Sequence, residues 1–157
     1  MLFDAFADLK KDDNDVMLVI AGDGVEKERL ICRIKKEKIG NIIFLGGVPH
    51  SRLPDLMNCG NLFVLPSLWE GMPIVLLEAL ACGIPCVATN VGQVSDIMKN
   101  GVNGYVVNSR DRVIMKKYIS IVLKGNRISS DECRKSVMQY SSERVIRRIE
   151  EFYNSVI

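Results

Sequence analysis

Between Pro73 and Pro85 the chain carries one charged residue, Glu78, set among Ile74, Val75, Leu76, Leu77, Ala79, Leu80 and Ala81. A carboxylate buried in such surroundings without a partner is costly, so it must face solvent or a ligand that donates hydroxyls. The segment leaves an apolar strand at Pro66, passes through a Gly/Pro turn and enters a helix near Pro73, a residue suited to the first helical position. Glu70 stands eight residues before Glu78, ahead of the helix. Two carboxylates therefore bracket one helix N-terminus. That arrangement restricts the fold and locates the chemistry.

The rest of the chain supplies the frame. Val16–Ala21, Ile42–Leu45, Asn61–Leu65, Pro85–Thr89 and Gly104–Val107 read as strands that are almost continuously apolar. Helices alternate with them: 25–38, a short 52–57 with Ser51 as its cap, the one starting near Pro73, a turn and helix over 92–98, then 110–123, 129–139 and 142–156. Gly125-Asn126 and Tyr140-Ser141 separate the last three. Apolar strands alternating with helices specify an α/β fold, a Rossmann-like doubly wound parallel sheet covered on both faces. Ligands of such folds bind beyond the carboxyl ends of the strands. The loops there are 22–24, 46–50, 66–73, 89–93 and 108–110, and the Gly/Pro-rich peptides fall among them.

Composition removes several other functions. The chain has 157 residues, enough for one domain with a core, and its net charge of +2 makes no case for a nucleic-acid partner. Its basic residues are mixed with acids, as on solvated helix faces. No stretch approaches the ~20 apolar residues of a membrane span. The cysteines (32, 59, 82, 86 and 133) form no Cys-x-x-Cys pair and the only histidine is His50, so a metal site has poor support. Reduced, buried thiols in a cytoplasmic protein are the plain expectation. Packing is the simpler role for Cys82 and Cys86, and solvation for His50. Gly22-Asp23-Gly24 suggests a dinucleotide fingerprint, but Lys27 replaces its last glycine and no acid ends the next strand.

At the turn Glu70-Gly71-Met72-Pro73-Ile74 the helix exposes unpaired N–H groups and partial positive charge, which favour phosphate. Gly71 permits close backbone approach, and Pro73 gives up an amide, leaving those of Gly71, Met72, Ile74 and Val75. Glu78 can accept both hydroxyls of a vicinal diol such as ribose, and Glu70 those of a second polyol. For Glu70 alone, helix capping is a competing explanation.

Residues 66–92 resemble the donor-binding motif of retaining GT-B glycosyltransferases of the family 4 type. The matching positions are Pro66, Ser67, Glu70, Gly71, Pro73, Glu78, Ala79, Ala81, Gly83, Pro85, Val87 and Ala88. The likeness extends outward through Leu18–Gly24, Ile43–Gly46, Asn100–Gly104 and Tyr140–Arg144. It implies a hexosyltransferase-type enzyme that moves a sugar from a nucleotide diphosphate sugar with retention. By position, Glu70 would be the catalytic-site acid that contacts the donor sugar, with the amides of Gly71, Met72, Ile74 and Val75 on the diphosphate. Glu78 would bind ribose, and the loop near Val48 would meet the base. No cofactor and no metal are expected, and the leaving phosphate itself would assist the incoming hydroxyl.

Two departures from the pattern carry expectations. Gly92-Gln93 stands where the family commonly has Gly-Gly. The family's domain also opens with a strand and an Arg/Lys-bearing segment, whereas this chain starts inside the following helix. The resemblance thus implies one truncated nucleotide-sugar-binding domain over residues 1–157, without the acceptor-binding N-terminal half and inactive alone. Five parallel strands are expected, with the strands at 16–21 and 61–65 separated by a gap, paired directly, or joined through a partner chain. Exposed strand edges would favour association. A non-catalytic nucleotide-sugar-binding or assembly module acting with a separate chain is the alternative. The expected location is cytoplasmic, with peripheral attachment at the inner membrane face through the missing half. The apolar stripe Val145, Ile149, Phe152 and Val156 is expected to pack on the domain.

Overall fold

A computed structural model describes residues 1–125 and 128–156. Helices run over Leu2–Asp12 (α1), Lys27–Glu37 (α2), Leu53–Asn58 (α3), Ile74–Ala81 (α4), Val94–Ile97 (α5), Arg112–Lys124 (α6), Ser130–Val137 (α7) and Ser142–Val156 (α8). Strands are Leu18–Ala21 (β1), Ile42–Gly46 (β2), Phe63–Leu65 (β3), Cys86–Thr89 (β4) and Gly104–Val107 (β5). All are parallel and alternate with helices, as the unbroken apolar strands require.

The strands form two sheets, β1-β2 and β3-β4-β5. Leu18 pairs with Ile42, and Cys86 sits between Phe63 and Gly104. Among the described residues no ladder joins β1 to β3, so the gap is the arrangement adopted. Every residue of β4 is buried, which is why Cys86-Val-Ala-Thr shows no polar alternation. Cys86, Ala88 and Val106 face one core with Leu76, Ala79 and Leu80 of α4, Val94 and Ile97 of α5, and Cys133 and Val137 of α7. Val87 and Val107 face the other, with Ala5 and Leu9 of α1 and Met115 and Ile119 of α6. Gly104 makes the close strand spacing possible at φ 150°, where a β-carbon would strike the Cys86 carbonyl. The buried Asn103 amide is satisfied by Ile97 O at 3.0 Å and Ser136 Oγ at 2.9 Å, and its oxygen accepts from Lys99 N at 2.7 Å.

Some sequence expectations change in detail. Ser51 does not cap a helix: it lies within a 3-10 turn over His50–Arg52, and α3 begins at Leu53 without a side-chain cap. Pro73 is the N-cap of α4 rather than its first helical residue. Its ψ of 95° is extended, and its carbonyl accepts from Leu76 N at 3.0 Å. Of the thiols only Cys86 and Cys133 are buried, while Cys32 and Cys59 are exposed. Burial pushes the Cys133 thiol up to about 11. The α8 stripe does not pack on the domain. Its residues are exposed throughout, because the helices already described cover both faces of the three-stranded sheet. Asn126, expected in a helix-separating turn, lies outside the described residues.

Candidate functional site

The rim beyond the carboxyl ends of the strands is built around the loop from β3 to α4. Thr89, the last residue of β4, turns its hydroxyl into this loop and donates to the carbonyls of Leu65, at 3.3 Å, and Ser67, at 2.5 Å. Gln93 N–H donates to the Gly71 carbonyl at 2.9 Å. Gly92 adopts φ 53°, and a β-carbon there would overlap the carbonyl oxygens of Glu70 and Gly71. The β4–α5 turn thus lies directly against the backbone that carries Glu70. One rim loop buttresses the next, since Asn90 Nδ2 also reaches Asn108 Oδ1 at 2.9 Å.

Helix α4 is fixed at both ends. Leu76, Ala79 and Leu80 are wholly buried on its inner face. At its C-terminus Gly83 takes φ 82°, and Arg134 of α7 donates to the Cys82 carbonyl at 3.1 Å. Such a left-handed glycine with a guanidinium on the last carbonyls is a stable helix ending. At the N-terminus the amides of Gly71, Met72, Ile74 and Val75 donate to no other described residue. They remain available to an acceptor from outside, with the positive end of the helix dipole behind them.

The acids flank this donor set. Glu70 is half-buried on the turn, and its carboxylate makes no hydrogen bond or ion pair with a described residue. Glu78 lies one turn beyond Ile74, with its side chain 27% exposed, and meets His50 Nε2 through Oε1 at 2.7 Å. The expected base-side residue, half-buried Val48, sits two residues before His50 on the loop leaving β2. The structure therefore brings Glu70, Gly71, Met72, Ile74, Val75 and Glu78 onto one rim, with Val48 on the loop that reaches Glu78. Trp69, Met72 and Ile74 present exposed apolar surface beside them. Asp23 on the loop after β1 is engaged by its own helix: Lys27 Nζ lies 2.9 Å away and, with Gly24 N–H, holds that carboxyl below its ordinary range. Among the described residues no three histidine, cysteine or acid side chains gather into a metal-holding group.

Sequence reasoning passed over Thr89, and it set His50 on the rim with solvation as the simpler role and a ligand role as the alternative. A polar residue closing an otherwise apolar strand was the available signal for Thr89. The pairing of His50 with Glu78 had none, because the two are 28 residues apart in the chain.

The family described as "Glycosyl transferases group 1" matches residues 1–144. The chain belongs to that family. Among curated relatives of this group 1 transferase chain is N-acetyl-alpha-D-glucosaminyl L-malate synthase of Bacillus anthracis, 30% identical over 148 residues. That match takes in 91% of this chain and 38% of the relative, so the chain spans well under half of its relative's length. Among solved structures, Anabaena Alr3699/HepE in complex with UDP-glucose superposes with a TM-score of 0.79 at 24% identity, covering 98% of this chain and 44% of that one. The pneumococcal O-GlcNAc transferase GtfA, in complex with UDP and GlcNAc, gives 0.84 at 19% identity, covering 99% and 32%. The Rossmann-like fold of this group 1 chain is thus the one found in GT-B glycosyltransferases.

Proposed function

We propose that residues 1–157 form the nucleotide-sugar-binding domain of a retaining, family 4 type glycosyltransferase that acts with an acceptor-binding half. The supporting observation is the set of unengaged amides at the start of α4, flanked by Glu70 and Glu78 and stiffened by Gly92. Those amides and the helix dipole take the donor's diphosphate. Glu70, half-buried and without a side-chain partner, accepts hydroxyls of the donor sugar and positions it. Glu78 accepts the ribose hydroxyls, and the backbone near Val48 meets the base.

In this reading the protein supplies no nucleophile. The bond between the anomeric carbon and the diphosphate oxygen breaks while the oxygen of the incoming hydroxyl bonds to that carbon on the same face, and its proton passes to the departing diphosphate, whose charge the amides hold. Neutralisation by the amides and the helix dipole stands in for a metal ion at the donor in this proposal. The transferase name and UDP ligand of one structural neighbour, and the UDP-glucose bound to the other, favour this substrate class. We place the protein in the cytoplasm, where nucleotide sugars are made; no described helix is long and apolar enough to cross a membrane.

Titration of the full-length protein with UDP, GDP and ADP and their sugars tests the proposal. One nucleotide series should bind, and Glu78→Gln should weaken it about tenfold, the worth of a hydrogen bond to a charged group. Unchanged affinity in Glu78→Gln would remove the ribose assignment.

A further inference from the structure

His50 and Glu78 come from different parts of the fold. His50 opens the 3-10 turn after β2, in the two-stranded sheet, and Glu78 is on α4, packed against the three-stranded sheet. Their contact is the side-chain hydrogen bond that ties the loop carrying Val48 to the helix carrying the ribose acid. The histidine side chain is 82% exposed, so burial in a core does not account for its place. An ionised carboxylate only accepts hydrogen bonds, so the imidazole donates through Nε2–H.

From this geometry we propose that His50 is a positioning residue for the nucleotide: it fixes Oε1 of Glu78 and leaves Oε2 to accept the ribose hydroxyls. The inference rests on the assignment of Glu78 to ribose. A glutamate side chain has three rotatable bonds, and one oxygen held from outside the helix removes most of that freedom before the ligand arrives. The diol then meets an acceptor already in place, and the ordering cost falls on folding rather than on binding. The chemistry recognised is a nucleoside diphosphate with free 2′- and 3′-hydroxyls.

The readout is the preference for ribose over deoxyribose, which a merely structural role would not alter. With the full-length protein, dissociation constants are measured for UDP, GDP and ADP and for their 2′-deoxy and 3′-deoxy counterparts. For the nucleotide that binds, wild type should prefer the ribose form about tenfold. His50→Ala should reduce that preference to threefold or less (by roughly half in free-energy terms) while leaving deoxynucleotide binding nearly unchanged. His50→Gln, whose amide can donate to the same oxygen, should recover part of it. The double variant with Glu78→Gln should be no weaker than Glu78→Gln alone, the signature of two residues acting through one contact. Equal weakening of ribo- and deoxynucleotides by His50→Ala would overturn the proposal, as would tighter ribonucleotide binding, which would mean that His50 competes with the ligand. If Glu78→Gln abolishes the preference and His50→Ala leaves it at its wild-type value, the His50 inference alone falls. If Glu78→Gln leaves the preference intact, the ribose assignment falls and takes the inference with it.

Discussion

Gly92 and Gly101 both hold positive φ angles, 53° and 79°, but only Gly92 has a neighbour where its β-carbon would go. For Gly101 that space is open, and alanine costs only the left-handed backbone, about 1–2 kcal/mol. For Gly92 the methyl meets two backbone carbonyls, of Glu70 and Gly71, which cannot swing aside as a side chain would. Gly92→Ala is therefore expected to cost about 1–3 kcal/mol beyond the Gly101→Ala value. It should also displace the turn whose Gly71 carbonyl accepts from Gln93 N. Urea denaturation of the two variants compares the stabilities, and nucleotide titration asks whether only Gly92→Ala loses the ligand. Equal costs, with binding retained by both, would show that the buttress has no functional weight. The same geometry explains why Gln93 is tolerated where a second glycine is usual: it contributes its main-chain N–H, which any residue but proline supplies.

Elements differ in how far the amino-acid pattern revealed them. The Gly104–Val107 strand and the Ser142–Val156 helix fall at their expected bounds, one opened by glycine and the other marked by long 3.6-residue periodicity. The rim acids were legible because one charge among seven apolar neighbours has few explanations. Helix α8 shows the limit. Its stripe Val145, Ile149, Phe152 and Val156 reads as a packing face, yet periodicity does not say against what, and here the faces of the sheet are already occupied. Pairing of His50 with Glu78 and the role of Arg134 at the end of α4 depend on distant chain segments meeting, which no local pattern encodes. A 15-residue helix with no buried residue gains little from tertiary packing, and helices of that length are marginal by themselves in water. In the 157-residue chain, amides of α8 should exchange with solvent orders of magnitude faster than those of β4, as hydrogen exchange read by mass spectrometry will show. Matching protection in α8 and β4 would mean that the helix is covered.

The described residues form two sheets without a shared ladder, so what holds these in register is side-chain contact across helices. Helix α1 is the main tie away from the rim. Its inner residues Ala5 and Leu9 lie in the core under β4 and β5, while Phe3 stacks on Phe44 of β2 with ring centres 6.5 Å apart. Beside that pair, Arg33 of α2 donates to Asp4 of α1 at 2.5 Å. The Arg33 hydrogen bond lowers the Asp4 carboxyl from its ordinary 3.8 to about 2. A carboxyl depressed on folding adds stability that is fully present above its unfolded value and disappears as pH falls through its folded one. The tie should therefore be intact above about pH 4 and gone near pH 2. Arg33 keeps Glu37 at 2.8 Å in either case, so loss of Asp4 does not strand the guanidinium and the effect stays modest. Urea midpoints of wild type and Asp4→Asn should differ at neutral pH, with the variant lower, and converge between pH 4 and pH 2. Because Phe3 and Phe44 still join the halves, the variant should unfold in one transition, and two transitions would mean that the ion pair, rather than the aromatic stack, couples the sheets. A difference that persisted undiminished to pH 2 would deny Asp4 its charge-dependent role.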